Sequence, residues 1–284
     1  MRLALRRARD AAGLSQGVVA KRVGWSLSKV QRIEAGDNAI SGTDLRALLD
    51  LYGVNDPEEI EQLLEEARIS RRQRWWAKPE FRDHLTPGTM QLLQFEAEAV
   101  AIRSYQPVLV PGPFQTPAYA EFLLRSWFNI GLTDDERRVR FDVRMQRRAQ
   151  FTESADSPQY HLILDESALK REIGGLAVMA EQLEYLADLA RHPSIHVRIV
   201  PLKEGAVLGL VGQFVVLDLA DDDSGDAVLY RESFTMDSLS HDPKEIQFHR
   251  DMFEAFWDQS LNEEKTIRAI IAEAASLRAR LDRA

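Results

Sequence analysis

Apolar residues recur every three or four positions through the first seventy residues, and glycine or hydroxyl side chains interrupt them at short intervals. This pattern predicts five short helices. The first spans residues 3–12 and stops at Gly13. Ser15 caps a second over 16–23, ended by Gly24, and Ser26 caps a third that runs to Ala35 and stops at Gly36. Ser41 and Asp44 have capping-box spacing ahead of Leu45, Leu48, Leu49 and Tyr52, and Gly53 ends that fourth helix. Asp56, Pro57, Glu58 and Glu59 open a fifth, with Ile60, Leu63, Leu64 and Ala67 on one face. Residues 1–68 therefore read as a compact five-helix domain. Residues 69–88 carry Arg71, Arg72, Arg74, Trp75, Trp76, Pro79 and Pro87 and read as a linker. At least one of its tryptophans is expected to dock on the domain that follows.

From Thr89 the pattern lengthens. Helices are expected over 90–104, where Leu92, Leu93, Phe95, Ala99 and Ile102 lie near one face, and over 117–127, 134–151, 176–190, 243–259 and 262–282. Short β-branched and aromatic runs predict strands at 160–164, 195–200, 214–219 and 227–232, with a hairpin loop at 221–225. The expected fold class is mainly α, with an N-terminal five-helix domain and a C-terminal α+β domain, residues 89–284, built on a small sheet. No internal repeat is present.

Composition narrows the possibilities. A chain of 284 residues, 45% hydrophobic, has enough apolar material for one large domain or two unequal ones. The absence of cysteine excludes disulfides and thiolate metal sites and fits a reducing cytoplasm. No stretch approaches the roughly 18 apolar residues of a membrane span, so no membrane partner is expected. Arg2, Arg6, Arg7 and Arg9 are not followed by the apolar run of a secretory signal. A net charge of −9 argues at first against nucleic acid. Residues 1–50, however, hold nine basic and five acidic side chains, a local +4 that leaves −13 for the remainder. Phosphate is met by the local cationic face, while the acidic remainder repels DNA from other faces.

The second and third helices have the makings of a helix-turn-helix, which needs a tight turn and an exposed face on its second helix. Ala20 is small where the two helices must approach, and Gly24 sits in the turn. Val18, Val23, Val30 and Ile33 form the expected inward set. Ser26, Ser28, Lys29, Gln31 and Arg32 form the outward set, the donors and cations with which a major groove is read.

Leu14, Ser15, Gln16, Ala20, Gly24, Ser26, Ser28, Val30, Ile33, Glu34 and Gly36 follow the LSQ…A…G-S-x-S…I-E-x-G pattern, and residues 1–55 resemble the Xre/Cro-type helix-turn-helix domains of phage repressors with the lambda-repressor-like fold. The resemblance implies that Gln16 contacts phosphate and braces the recognition helix. It further implies that Leu27, Ser28 and Arg32 read bases, and that Ser26 and Lys29 face the DNA backbone. Leu27 departs from the polar residue often found there, and either touches a thymine methyl or packs. Glu34 is expected to be structural. Because one such module buries only about 600–1,000 Å² on DNA, a homodimer, or two copies brought together on DNA, is expected on a palindromic operator.

The remainder carries several further stretches with a common resemblance. They include Val110-Pro111-Gly112-Pro113-Phe114-Gln115-Thr116-Pro117, Arg144-Met145-Gln146-Arg147-Arg148, Asp165-Glu166-Ser167, Gly174-Gly175, Gln182-Leu183, Val197 to Pro201, Gly212-Gln213-Phe214 and Tyr230-Arg231-Glu232. They resemble the uncharacterised domain that follows the helix-turn-helix in actinomycete WhiJ-like, antitoxin-like regulators. That resemblance implies a small companion protein encoded nearby as a further partner, or as the main one.

Little in this region suggests catalysis, and neither a cofactor nor a metal is expected. Asp165 and Glu166 are adjacent at a strand end, where neighbouring side chains diverge, and a helix cap before Ser167 is the simpler role. His161, His196, His241 and His249 lack ligand spacing with a third donor and read as surface or packing residues. The arginines of 137–148 are either a helix face paired to Asp134, Asp135, Glu136 and Asp142 or a second nucleic-acid face. The segment 110–119 either lines a ligand site or merely turns the chain.

Overall fold

The structure is a computed structural model that describes residues 2–35, 40–72, 75–126, 131–153, 157–204, 212–219, 226–232 and 237–283. The chain divides into two compact units, residues 1–78 with 89–98, and residues 79–88 with 99–284.

In the first unit, α1 (Arg2–Ala11), α2 (Gln16–Val23), α3 (Leu27–Ala35), α4 (Gly42–Tyr52) and α5 (Pro57–Arg72) follow in the expected order. Local chemistry sets their ends. Ser15 and Ser41 accept the backbone N–H of Val18 and Asp44, satisfying donors that have no partner inside the helix. Gly24 ends α2 at φ 71°, a left-handed conformation that costs glycine little. The stop expected at Gly36 lies outside the described residues. The core joins Leu5 of α1, Val19 and Ala20 of α2, Val30 and Ile33 of α3, Leu45, Leu48 and Leu49 of α4, and Leu63 of α5. One expected inward residue is corrected. Val18 is 41% exposed, and Val19 takes its place. With Ala20 and Val23 also facing inward, the 3.6-residue period puts Val19 on the buried side and Val18 about 100° away. Between α5 and Pro79, Trp75–Ala77 form a 3-10 turn in which Trp75 meets the buried Trp76 edge-on at 5.5 Å. Both tryptophans belong to the first unit.

After α6 (Pro79–Arg82), the helix expected over 90–104 is also corrected. It appears as α7 (Pro87–Glu98), and the remaining residues form β1 (Ala101–Gln106). Ile102, Ser104 and Tyr105 of this strand are fully buried, so it lacks the alternation of a half-exposed strand. Then come α8 (Pro117–Arg125), α9 (Asp134–Thr152), β2 (Gln159–Asp165), α10 (Glu166–Lys170), α11 (Gly175–Leu189) and β3 (Ile195–Val200). They are followed by β4 (Phe214–Asp218), β5 (Ala227–Glu232), β6 (Asp237–Ser240), α12 (Pro243–Gln259) and α13 (Glu263–Leu281). The hairpin loop expected at 221–225 lies outside the described residues.

The strands form one mixed sheet in the order β3-β2-β1-β4-β5-β6. β1, β2 and β3 are parallel, and β4, β5 and β6 add antiparallel to β1 in turn. Helices cover both faces. Tyr105, Ile163, Phe214 and Leu229 pack with Phe253 and Phe256 of α12. On the opposite face Tyr160 meets Phe114 at 4.7 Å and Phe151 of α9 at 5.3 Å, both edge-on. α13 is tied to α11 by an Arg278–Glu184 ion pair at 2.7 Å.

Candidate nucleic-acid interface

The turn between α2 and α3 is three residues, Gly24 to Ser26. The Gly24 N–H bonds the Ala20 carbonyl, and the Trp25 N–H bonds the same oxygen at 2.8 Å. Ser26 then caps α3 through the Lys29 N–H, 3.2 Å away. The small Ala20 and the left-handed Gly24 together let the chain reverse this tightly.

Leu27, Ser28, Gln31 and Arg32 fall at helical spacing along one side of α3, and all four are exposed, Leu27 by 46%. Ser26 is exposed at the amino end of the same helix. The Arg32 Nε lies back on the Ser28 carbonyl at 3.2 Å, and Arg32 has no acidic partner among the described residues. The opposite side of the helix is closed by the buried Val30 and Ile33. Lys29 is placed differently from its neighbours. It is half-buried, sits 3.7 Å over the Trp25 ring and pairs with Asp44 of α4 at 3.0 Å. Its charge is thus shared with an acid.

Behind α3 a buried polar latch fixes the motif. The Glu34 side chain is fully buried. Its two oxygens accept from the Arg9 Nε at 2.7 Å and the Gln16 Nε2 at 2.9 Å. Arg9 also donates to the Leu14 carbonyl at 2.8 Å, and Arg6 donates to the Glu34 carbonyl at 3.2 Å. One carboxylate therefore ties α1 and the start of α2 to the end of α3. The Glu34 hydrogen bond raises the Arg9 guanidinium above its ordinary value. Burial, with the Glu34 charge adding to it, raises the Tyr52 phenol. The expectation that Gln16 braces the recognition helix and that Glu34 is structural matches this geometry. Arg9 and Trp25 were not singled out by sequence reasoning. The signal for Arg9 was available in principle, since a buried glutamate requires a cation.

The second unit uses its candidate residues for structure. Asp165 caps α10 by accepting the Ser167 N–H at 2.7 Å, and Glu166 accepts the Leu202 N–H at 3.1 Å. His249 is buried with Nδ1 2.8 Å from the Glu245 carbonyl. His161 stacks on His196 at 4.9 Å and meets Trp257 edge-on. Burial, then the neighbouring His196 and Arg103, pushes the His161 imidazole down to about 4. Among the described residues, no group of three or more potential ligands is arranged to hold a metal, and no helix is long and apolar enough to cross a membrane.

The fold and the site define a helix-turn-helix protein carrying a second, α+β domain, and such a motif points to a DNA-binding regulator. Residues 1–63 match the family described as a helix-turn-helix domain. Residues 89–272 match the domain of unknown function DUF5753, and the chain belongs to that family. No curated protein and no solved structure matches the chain.

Proposed function

We propose that this protein is a cytoplasmic, sequence-specific transcriptional regulator. It binds double-stranded DNA through the exposed side of α3, and its C-terminal domain controls that binding in response to a ligand or a partner protein. The observation that carries the reading is the exposed row of Leu27, Ser28, Gln31 and Arg32 on a helix whose other side is locked by the Arg9–Glu34–Gln16 latch. In this reading Ser28 and Arg32 address base edges, and Ser26 and Lys29 address phosphate, Lys29 by leaving Asp44. Gln16 contributes mainly by bracing α3 through Glu34 and, being half-buried, also contacts phosphate. A rigid helix presenting a fork-shaped guanidinium and hydroxyls is suited to a major groove.

The protein acts as a homodimer on half-sites about 34–36 Å apart, since a single module supplies too little surface for specific binding. Neither unit is read as an enzyme, because Asp165 and Glu166 are engaged with backbone N–H groups. The reading is tested by selecting duplexes from a randomised pool and measuring affinity for the winner against a scrambled duplex. Arg32→Ala is expected to cost about 1–3 kcal/mol on the selected duplex and much less on the scrambled one. Equal losses on both duplexes would remove Arg32 from base reading, and failure to enrich any sequence would end the proposal.

A further inference from the structure

The arginine run of α9 divides in two. At its start Arg137 and Arg138 pair with Asp134 and Asp135, an ordinary solvated helix face. Further along, Arg140, Arg144 and Arg147 recur at helical spacing and are half-buried. This face meets the turn at Gly112–Phe114. The Arg144 Nε donates to the Gln115 Oε1 at 3.1 Å, and its Nη1 donates to the Arg140 carbonyl at 3.1 Å. Both acceptors are neutral, and no carboxylate among the described residues lies within ion-pair distance of Arg144. Burial and the charges of Arg147 and Arg140 pull its guanidinium down to about 10, with Glu232 opposing from beyond contact.

The surroundings hold this arginine still. The Gln115 Nε2 donates to the Val110 carbonyl at 2.8 Å. Gln182 of α11 accepts the Thr116 N–H at 2.7 Å and donates to the Phe114 carbonyl at 2.8 Å. Gly112 completes the wall, since a Cβ there would lie 3.1 Å from the Arg147 Nη1. The turn follows β1 and so lies off the carboxyl end of a parallel strand, where open sheets usually take their ligands.

We propose that Arg144, flanked by Arg140 and Arg147, binds a small ligand through its carboxylate or phosphate group. Guanidinium offers five N–H donors in a planar fork, and two of those on Arg144 are committed to neutral acceptors. The outer edge, formed by Nη1 and Nη2, remains for a bidentate oxyanion. The Arg144 anchor is recessed between helix and turn, which suits a small anion better than a flat protein surface or a nucleic-acid backbone. The use of such a ligand as the signal rests on the regulatory reading above. The binding itself does not, because it is measured without DNA.

The test is calorimetric titration of the full chain with inorganic phosphate and, separately, with succinate, at constant ionic strength. Saturable binding of at least one probe is expected, weakened about tenfold or more in Arg144→Gln and unchanged in Arg138→Gln. Which probe binds identifies the source of the charge. Melting of the unliganded variants supplies the second readout. An arginine kept for a ligand leaves its charge uncompensated, so Arg144→Gln melts no lower than the parent and loses the rise that the probe induces. Binding of neither probe, equal binding by Arg144→Gln, or a lower melting point for that variant would each overturn the proposal.

Discussion

Each unit holds a partly buried arginine in a fixed position, and the two are treated in opposite ways. Arg9 in the first unit meets the buried Glu34 carboxylate at 2.7 Å and is closed by it. Arg144 in the second is held by an amide oxygen and a backbone carbonyl, with no carboxylate among the described residues at ion-pair distance. A paired internal charge stiffens a frame and asks for nothing more. A charge fixed only by neutral acceptors leaves a favourable interaction for a ligand to complete. The first unit therefore turns its internal polarity to rigidity and its exposed polarity toward DNA. The second closes Asp218 in the same way with Arg103 and Arg250 but leaves Arg144 without a carboxylate in contact among the described residues.

The largest test of this contrast removes the closing acid. Glu34→Ala strands the Arg9 guanidinium and the Gln16 amide in the core and is expected to destabilise the first unit by about 3–5 kcal/mol. Denaturant unfolding of the full chain followed by tryptophan fluorescence checks this; a loss below about 1 kcal/mol would mean that the latch is decorative.

A smaller effect is expected from His161 on the sheet of the second unit. Its folded value of about 4 lies below the ordinary imidazole value near 6.5. The unfolded chain therefore binds the extra proton first, and stability is full above about pH 6.5 and falls as pH drops toward 4. After allowance for partial solvent screening, the loss is on the order of 1 kcal/mol. Melting curves across that range should be flatter for His161→Gln than for the parent, and parallel curves would assign the acid sensitivity elsewhere.

The smallest effect concerns Lys29. Its pair with Asp44 is partly exposed, so Asp44→Asn should change stability by no more than about 0.5 kcal/mol. Released from that acid, Lys29 becomes available to phosphate, and DNA affinity should rise by about twofold at low salt. An unchanged affinity would place Lys29 off the DNA path.

What the sequence made legible was local. Caps at Ser15, Ser26 and Ser41, the proline at the start of α12 and the glycines after α2 and α4 act within a few residues of themselves. The helices they bound were accordingly placed within a residue or two. β1 was missed because its apolar residues continue the spacing of the preceding helix, while its strand character comes from distant partners. Ala101 pairs with Gln159 on one side and Asp218 on the other. β6 was missed for the opposite reason, since Asp237–Ser240 is a polar edge strand with no apolar signature. In the interface the exposed row on α3 was readable from periodicity. The Lys29–Asp44 and Arg9–Glu34 pairs join side chains from different helices, and no local pattern announces them.

The central claim is that the cationic residues 1–50, rather than the acidic remainder of the chain, carry DNA recognition. It is tested most directly by measuring affinity of the full chain for its selected duplex as salt is raised. The account predicts a linear fall of log K with log salt, with a slope that drops by about one when Lys29 is replaced by alanine and is unchanged by Arg138→Ala on α9. An affinity indifferent to salt, or a slope altered by Arg138→Ala and not by Lys29→Ala, would contradict it.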